Sequence, residues 1–455
     1  MAAKISTILI LGARGDLSSR LLLPALGQLL MMEPDRDVRL LGSGSGDWSN
    51  ETWRALVKKS FDSATATGET AASLASSTEY IQGDVTDPGD LQKLVDACHG
   101  VPAIYFALPP AIVVKVCTAL EKVTLPPGTV IALEKPFGTD EKSAQELNKQ
   151  ILKLVPEDQI HRVDHFLGRS TVFNLMGLRF ANRIFEPLWN SEHIEKVDIV
   201  YDEQLALEGR ARYYDKAGAL VDMIQSHLLQ VMAVLAMEPP VTLDATDVRS
   251  AKFKILRATH VFNDDPVAFS RRARYSAGEV SGRELGSYVD EPGVDAALGT
   301  ETLAEVTFGI DTWRWAGVPF TLRSGKALAN RRREIVVTFK QVPHLPTGLR
   351  GLDTPTILRI ALAPDEMSLE LNINGPGDPT VLKRASLRAE FGPGQLVAYG
   401  EILSGILDGD PALSVRGDAA EQCWHIVAPV LSAWREGAVP LAEYPAGSDG
   451  PREWS

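Results

Sequence analysis

Apolar and polar positions fall into alternating blocks along the first third of the chain. Ser6–Leu11 (STILIL) is a short continuous run rich in β-formers, which predicts a strand buried on both faces of a parallel sheet. Gly12-Ala13-Arg14-Gly15-Asp16 breaks it, and the Leu-rich stretch Leu17–Leu30 then reads as helix. Val38–Leu41 reads as a second strand that runs into Gly42-Ser43-Gly44-Ser45-Gly46. Ala103–Leu108 and Thr129–Leu133 read as later buried strands, and the Ser/Thr/Ala-rich Ser60–Ser77 as a helix with a mobile loop. This alternation predicts a doubly wound α/β domain to about residue 165.

The pattern then changes. Arg169–Asn182 predicts a helix, and Gly218–Met237 a strong one with Asp215 as its candidate N-cap. From about Val241 alternating strands dominate: Thr302–Ile310, Pro319–Arg323, Glu334–Lys340, Thr356–Ala363 and Met367–Ile373. Gln395–Leu407 and Ala419–Glu436 read as late helices, and the polar tail Tyr444–Ser455 as extended coil. The expected fold is an α/β Rossmann domain over residues 1–165. An α+β domain over residues 166–455 follows, with a large, mostly antiparallel sheet covered on one face by helices.

Composition narrows the function. With 45% apolar and 23% charged residues the chain is of ordinary globular type. Lys and Arg number 46 against 59 Asp and Glu, a net charge of −13, which disfavours nucleic-acid binding. An anionic substrate therefore requires a local basic pocket. Cys98, Cys117 and Cys423 lie far apart with no CxxC, which excludes a disulfide framework and a Cys-based zinc site. No unbroken apolar run approaches the length of a membrane span, so no transmembrane helix is expected. The N-terminus leads directly into a strand without room for a signal peptide, and the cytoplasm is the expected compartment.

Gly12-x-x-Gly15-x-x-Ser18 sits after the first strand, where glycine lets a pyrophosphate approach the backbone and the helix start supplies N–H donors. Taken alone, so short a motif also fits a plain tight turn. Readers of NAD carry Asp or Glu at the end of the second strand. Here Leu40-Leu41-Gly42-Ser43 offers no carboxylate, which leans toward NADP, and Arg14 in the first turn is a candidate cation for its 2′-phosphate.

Longer motifs point one way. They are Gly12-Ala-Arg-Gly-Asp-Leu17, Glu134-Lys-Pro-Phe-Gly138, Arg162-Val-Asp-His-Phe-Leu-Gly-Arg169 and Leu178-Arg-Phe-Ala-Asn-Arg-Ile-Phe-Glu-Pro-Leu-Trp189. Tyr213-Tyr-Asp215, Gln225-Ser-His-Leu-Leu-Gln230, Ala236-Met-Glu-Pro-Pro240, Trp313-Arg-Trp-Ala-Gly-Val-Pro-Phe320 and Arg323-Ser-Gly-Lys326 continue the series. In order and spacing the chain resembles the glucose-6-phosphate dehydrogenase family over nearly its whole length. The resemblance implies oxidation of glucose 6-phosphate to 6-phosphogluconolactone with NADP, with NAD as an alternative acceptor, at the entry to the pentose phosphate pathway. It also implies a homodimer or homotetramer built through the large sheet, with no nucleic-acid or membrane partner.

The same resemblance assigns roles. His227 stands at the position of the catalytic base, a role that suits an imidazole titrating near neutrality. Asp164 resembles the carboxylate that orients it and stabilises its cation. His165 and Arg169 resemble the phosphate-binding pair, four residues apart and on one face if the stretch is helical. Lys135 resembles a lysine that touches both substrate and cofactor. Glu203 and Asp222 resemble acceptors of sugar hydroxyls, Lys326 a further substrate lysine, and Arg331 a weaker match within Arg331-Arg332-Arg333. The cofactor set is Gly12, Ala13, Arg14, Gly15, Asp16, Leu17, Ser43, Ser45, Pro109 and Lys135. His161 and His165 also have i,i+4 spacing, but no carboxylate or cysteine set completes a metal site.

The chain departs from the family pattern in places. Ser45 fills the slot where the family commonly has an Arg for the 2′-phosphate, and Arg14 one where Ser or Thr is common. A positional swap follows, with Arg14 taking over the phosphate. Phe166 replaces a Tyr, Val221 an Arg and Ser226 an Asn. These departures keep two alternatives open: a non-catalytic or altered-specificity paralogue, and another Rossmann sugar dehydrogenase.

Overall fold

In the computed structural model, residues 4–392 and 394–454 are described. They form two compact units. One comprises residues 1–169, 240–253 and 394–424; the other comprises 170–239, 254–393 and 425–455. The contacts do not follow a single boundary near residue 165. Compactness follows contacts rather than chain order, and two later segments pack with the first unit.

The first unit is built on a seven-stranded sheet. Its order is Ser414–Val415, Ile160–Val163, Val130–Glu134, Pro102–Phe106, Thr7–Leu11, Arg39–Gly44, Glu79–Gln82. All pairings are parallel except that of the two-residue strand 414–415. This is the doubly wound order, and it reverses between strands 7–11 and 102–106, where such sheets bind ligands at the carboxyl ends. The second strand does not stop at Leu41; it continues through Gly44. Gly42 fits there because a Cβ would fall 2.7 Å from the Trp53 ring, which is itself fully buried. Residues 60–77 resolve into the end of helix Asn50–Ser63, a short connection, and helix Glu69–Ser77.

The second unit holds a mixed eleven-stranded sheet. Most of its pairings are antiparallel; strands 194–202 and 320–325, 270–276 and 441–445, and 350–351 and 381–390 run parallel. Two expectations change here. The stretch after Val241 opens with a helix, Ala245–Arg257, and strands follow it. The tail is not coil from Tyr444: Leu441–Pro445 pairs with 270–276, and Tyr444 is fully buried. An aromatic side chain of that size stabilises a strand when buried, and its hydroxyl finds a partner in the Lys326 carbonyl at 2.7 Å. Ser455 lies outside the described residues.

Helical structure runs from Ala211 to Ala236, broken at Gly218, whose φ of 65° and ψ of 177° are not helical. By length and composition this stretch could cross a membrane, contrary to the expectation from unbroken apolar runs, but 89% of its most apolar window is buried inside the protein. It packs against strands 303–310 and 320–325.

Candidate active site

In the first unit the nucleotide turn starts at Gly12, with φ at 85°. A Cβ there would lie 2.3 Å from the Ala107 carbonyl oxygen, so only glycine lets the two strand ends close up at the switch point. Gly12 and Ala13 donate their N–H groups to the Ser43 carbonyl at 2.9 and 3.0 Å, and Gly15 donates to Gly12 at 3.0 Å. Asp16 is exposed and Leu17 half-buried at the helix start, and Pro109 is exposed ahead of helix Pro110–Leu120.

Ser43, expected in the cofactor set, has its hydroxyl engaged within the sheet. Its side chain is fully buried and donates to the Ile81 carbonyl at 2.8 Å, because the second strand continues past it and pairs with the third. Ser45 is exposed at the strand's end. Arg14 crosses to that end: a Cβ on Gly46 would fall 1.2 Å from its Nη1, and its guanidinium carbon lies 4.7 Å from the Trp48 ring centroid. The turn therefore fits a dinucleotide, with glycine where a side chain would obstruct and a cation beside the end of the second strand.

Lys135 follows the strand Val130–Glu134 and is half-buried, joined to Pro136 by a cis peptide. Glu134 beside it accepts hydrogen bonds from the hydroxyls of Tyr105 and Tyr399. Burial pushes its carboxyl up to about 7, while the two tyrosines and Lys135 pull it down and Asp164 adds to the rise. Asp164 is buried and accepts the Phe166 N–H at 3.0 Å.

Residues 165–168 form successive turns rather than a helix, with N–H bonds from Leu167, Gly168 and Arg169 back to Asp164, His165 and Phe166. His165 stacks on Tyr399 with ring centroids 5.6 Å apart. Arg169 lies over the Phe166 ring at 4.3 Å, so the ring that lacks the family's hydroxyl supports the guanidinium with its face. His161 belongs to the core: it hydrogen-bonds Ser414 at 3.2 Å, and burial pushes its pKa down to about 3.

In the second unit Asp222 and His227 are both buried on the segment Leu220–Leu228, which is π-helical. A π-helix closes its hydrogen bonds five residues apart, so these two residues stand one above the other. Tyr213, which the motifs mark without a role, donates to Asp222 at 3.2 Å. Both ends of this helical run are held by side chains. At the start, the Leu220 N–H is taken by the Glu301 carboxylate at 2.9 Å. Burial pushes that carboxyl up to about 7, against the pull of backbone N–H groups and Arg272. Asp215, the expected cap, instead accepts from the Tyr288 hydroxyl at 2.7 Å and the Asp295 N–H at 2.8 Å, because the chain breaks at Gly218 between it and the new helix. At the far end the buried Arg179 donates to the Leu235 and Met237 carbonyls at 2.8 Å. The Trp189 and Trp315 indoles donate to Leu235 and Ala236 at 2.9 and 2.8 Å. The motifs around residues 178–189 and 313–320 thus satisfy the orphan carbonyls of this helix.

Glu203 accepts from Lys326 Nζ at 2.8 Å, and Lys326 also lies over the Tyr214 ring at 5.2 Å. Arg331 does not join them: it is exposed, whereas Arg333, two residues on and within strand Arg333–Phe339, reaches Glu203 at 3.4 Å and covers the Tyr201 ring. Arg331 lies before that strand, whereas pairing holds Arg333 opposite Tyr201 on the neighbouring strand. Among the described residues no group of three or more His, Cys, Asp or Glu is arranged to hold a metal ion.

Comparison with known proteins agrees with this architecture. The family model "Glucose-6-phosphate dehydrogenase, NAD binding domain" matches residues 9–174, and "Glucose-6-phosphate dehydrogenase, C-terminal domain" matches 176–455. The glucose-6-phosphate 1-dehydrogenase of Zymomonas mobilis is 36% identical over 474 residues, covering 99% of this chain and 97% of that protein. A crystal structure of glucose-6-phosphate 1-dehydrogenase from Mycobacterium avium is 33% identical with a TM-score of 0.85, covering 99% of this chain and 96% of that one. A glucose-6-phosphate dehydrogenase solved with its substrate glucose 6-phosphate is 29% identical with a TM-score of 0.89, covering 100% and 97%. A Rossmann unit and a large mixed sheet, matched in turn by the two family models between residues 9 and 455, make this chain a member of the glucose-6-phosphate dehydrogenase family.

Proposed function

We propose that the protein oxidises glucose 6-phosphate to 6-phosphogluconolactone, with NADP as the preferred acceptor. The observation that carries the chemistry is a buried histidine, His227, one π-turn from a buried carboxylate, Asp222, on a helical run secured at both ends. His227 takes the proton of the anomeric hydroxyl as the carbonyl of the lactone forms. The Gly12 turn would hold the pyrophosphate of a nicotinamide dinucleotide, which would accept the hydride from the sugar carbon. Asp164 is the carboxylate assigned to favour the imidazolium; Asp222 and Glu203 accept sugar hydroxyls. His165 and Arg169 bind the phosphate, with Lys135 of the same unit adding positive charge, which a chain of net charge −13 must concentrate locally; Lys326 is a further substrate residue.

Preference for NADP rests on Arg14 lying against Gly46 where no carboxylate ends the second strand. A homodimer through the large sheet is supported by its outer strands, where Ile373 and Leu387 are 48% and 61% exposed. Initial rates with glucose 6-phosphate, followed by absorbance of the reduced cofactor, test the activity. Replacing His227 by Asn should cost about 10²- to 10⁴-fold in turnover with substrate still bound. Full turnover in that variant, or no rate in the folded wild-type protein with either cofactor, would overturn the assignment.

A further inference from the structure

We infer that Glu301 is a positioning residue for this active site: its buried carboxylate starts the helix that carries Asp222 and His227 and fixes that helix to the strand end bearing Lys326. The inference deepens the proposed function and rests on it for the role of His227. Several contacts converge on residues 300–302. The Thr300 hydroxyl donates to the Asp215 carbonyl at 2.6 Å. Glu301 accepts the Leu220 N–H at 2.9 Å through its side chain and the Ala219 N–H at 3.3 Å through its carbonyl. The Thr302 carbonyl accepts the Lys326 N–H at 2.9 Å, and its hydroxyl bonds the Tyr444 hydroxyl, which in turn donates to the Lys326 carbonyl. One three-residue segment thereby sets both the start of the His227 helix and the backbone of the substrate lysine.

Gly218 shows that the backbone is shaped around this carboxylate. Its φ of 65° ends the preceding helix, and a Cβ there would fall 2.2 Å from Glu301 Oε1. A helix start buried in the protein leaves N–H groups that water cannot reach, and Glu301 is only 7% exposed. Without this acceptor the first turn must shift, and Asp222, two residues past Leu220, shifts with it.

The test compares Glu301→Ala, Glu301→Gln and Glu301→Asp with His227→Asn, in the full-length enzyme. Gln keeps the acceptor oxygen and the length; Asp keeps the charge but is one methylene short. Glu301→Ala and Glu301→Asp should lower kcat about tenfold or more with the KM for NADP within about twofold. Glu301→Gln should stay within about threefold of wild type. Hydrogen exchange at the Leu220 amide should be slow in wild type and Glu301→Gln and fast in Glu301→Ala; if the Ala variant does not fold, Glu301→Asp takes its place. An active Asp variant beside an inactive Gln variant would overturn the inference, since charge and not capping would then matter. So would wild-type kcat in Glu301→Ala while His227→Asn is dead. If His227→Asn keeps full turnover, the functional reading fails instead, and amide exchange alone decides the cap.

Discussion

Removing the Arg14 guanidinium should separate the two nicotinamide cofactors. The side chain reaches the end of the second strand, lies on Trp48, and occupies the space a Gly46 Cβ would need. NADP differs from NAD only by the phosphate on the adenosine ribose, which binds beside that strand end. A hydrogen bond to a charged group contributes about 1.5–3 kcal/mol, and the exposed position of Arg14 selects the lower end. Arg14→Ala should therefore raise the KM for NADP about tenfold and leave the KM for NAD within about twofold, at 1.36 kcal/mol per factor of ten. Gly46→Ala displaces the far end of a flexible side chain and should act in the same direction with a smaller effect. The assay is the initial rate at saturating glucose 6-phosphate over a range of each cofactor. Equal changes for both cofactors would place Arg14 on the pyrophosphate they share and refute the reasoning, and so would a wild-type enzyme that prefers NAD.

Two further outcomes follow from buried charge. Glu157 is shared by Arg162 and Arg249, both buried, so Glu157→Ala leaves two guanidinium groups without their carboxylate and should cost about 3–5 kcal/mol, read as a lowered Tm. No loss of stability would show that neither arginine depends on it. Glu134 is raised from 4.5 to about 7 by burial, so the folded state favours its protonated form. Its contribution is complete below about 4.5 and is lost as pH rises through about 7; relative to Glu134→Gln, the wild type should lose stability across that window, and a pH-independent difference in denaturant midpoint would contradict this.

Several elements were legible because their cause is local. Short continuous apolar runs rich in β-formers and bounded by glycine or proline read as buried strands, and Thr7–Leu11, Pro102–Phe106 and Val130–Glu134 lie within a residue or two of their predicted positions. Gly12 was legible for the same reason, since a strand-to-helix turn at that point needs a residue without a side chain. The family motifs supplied the candidate site residues, among them His227, Lys135 and Asp164, because chemistry restricts residue type strongly.

What the sequence by itself determined was therefore the fold class, the family and the chemical inventory. The tertiary structure alone decided where those groups lie and how they are held. Arg333 rather than Arg331 meets Glu203 because strand pairing sets the register, which no local pattern within three arginines reveals. Ser43 is consumed inside the sheet because a neighbouring strand offers the Ile81 carbonyl. Glu301 caps a helix starting 81 residues earlier, and Tyr444 closes on Lys326 from 118 residues away. These contacts join positions remote in the chain, so their physical cause, the need of each buried polar group for a partner, acts only once the chain has folded.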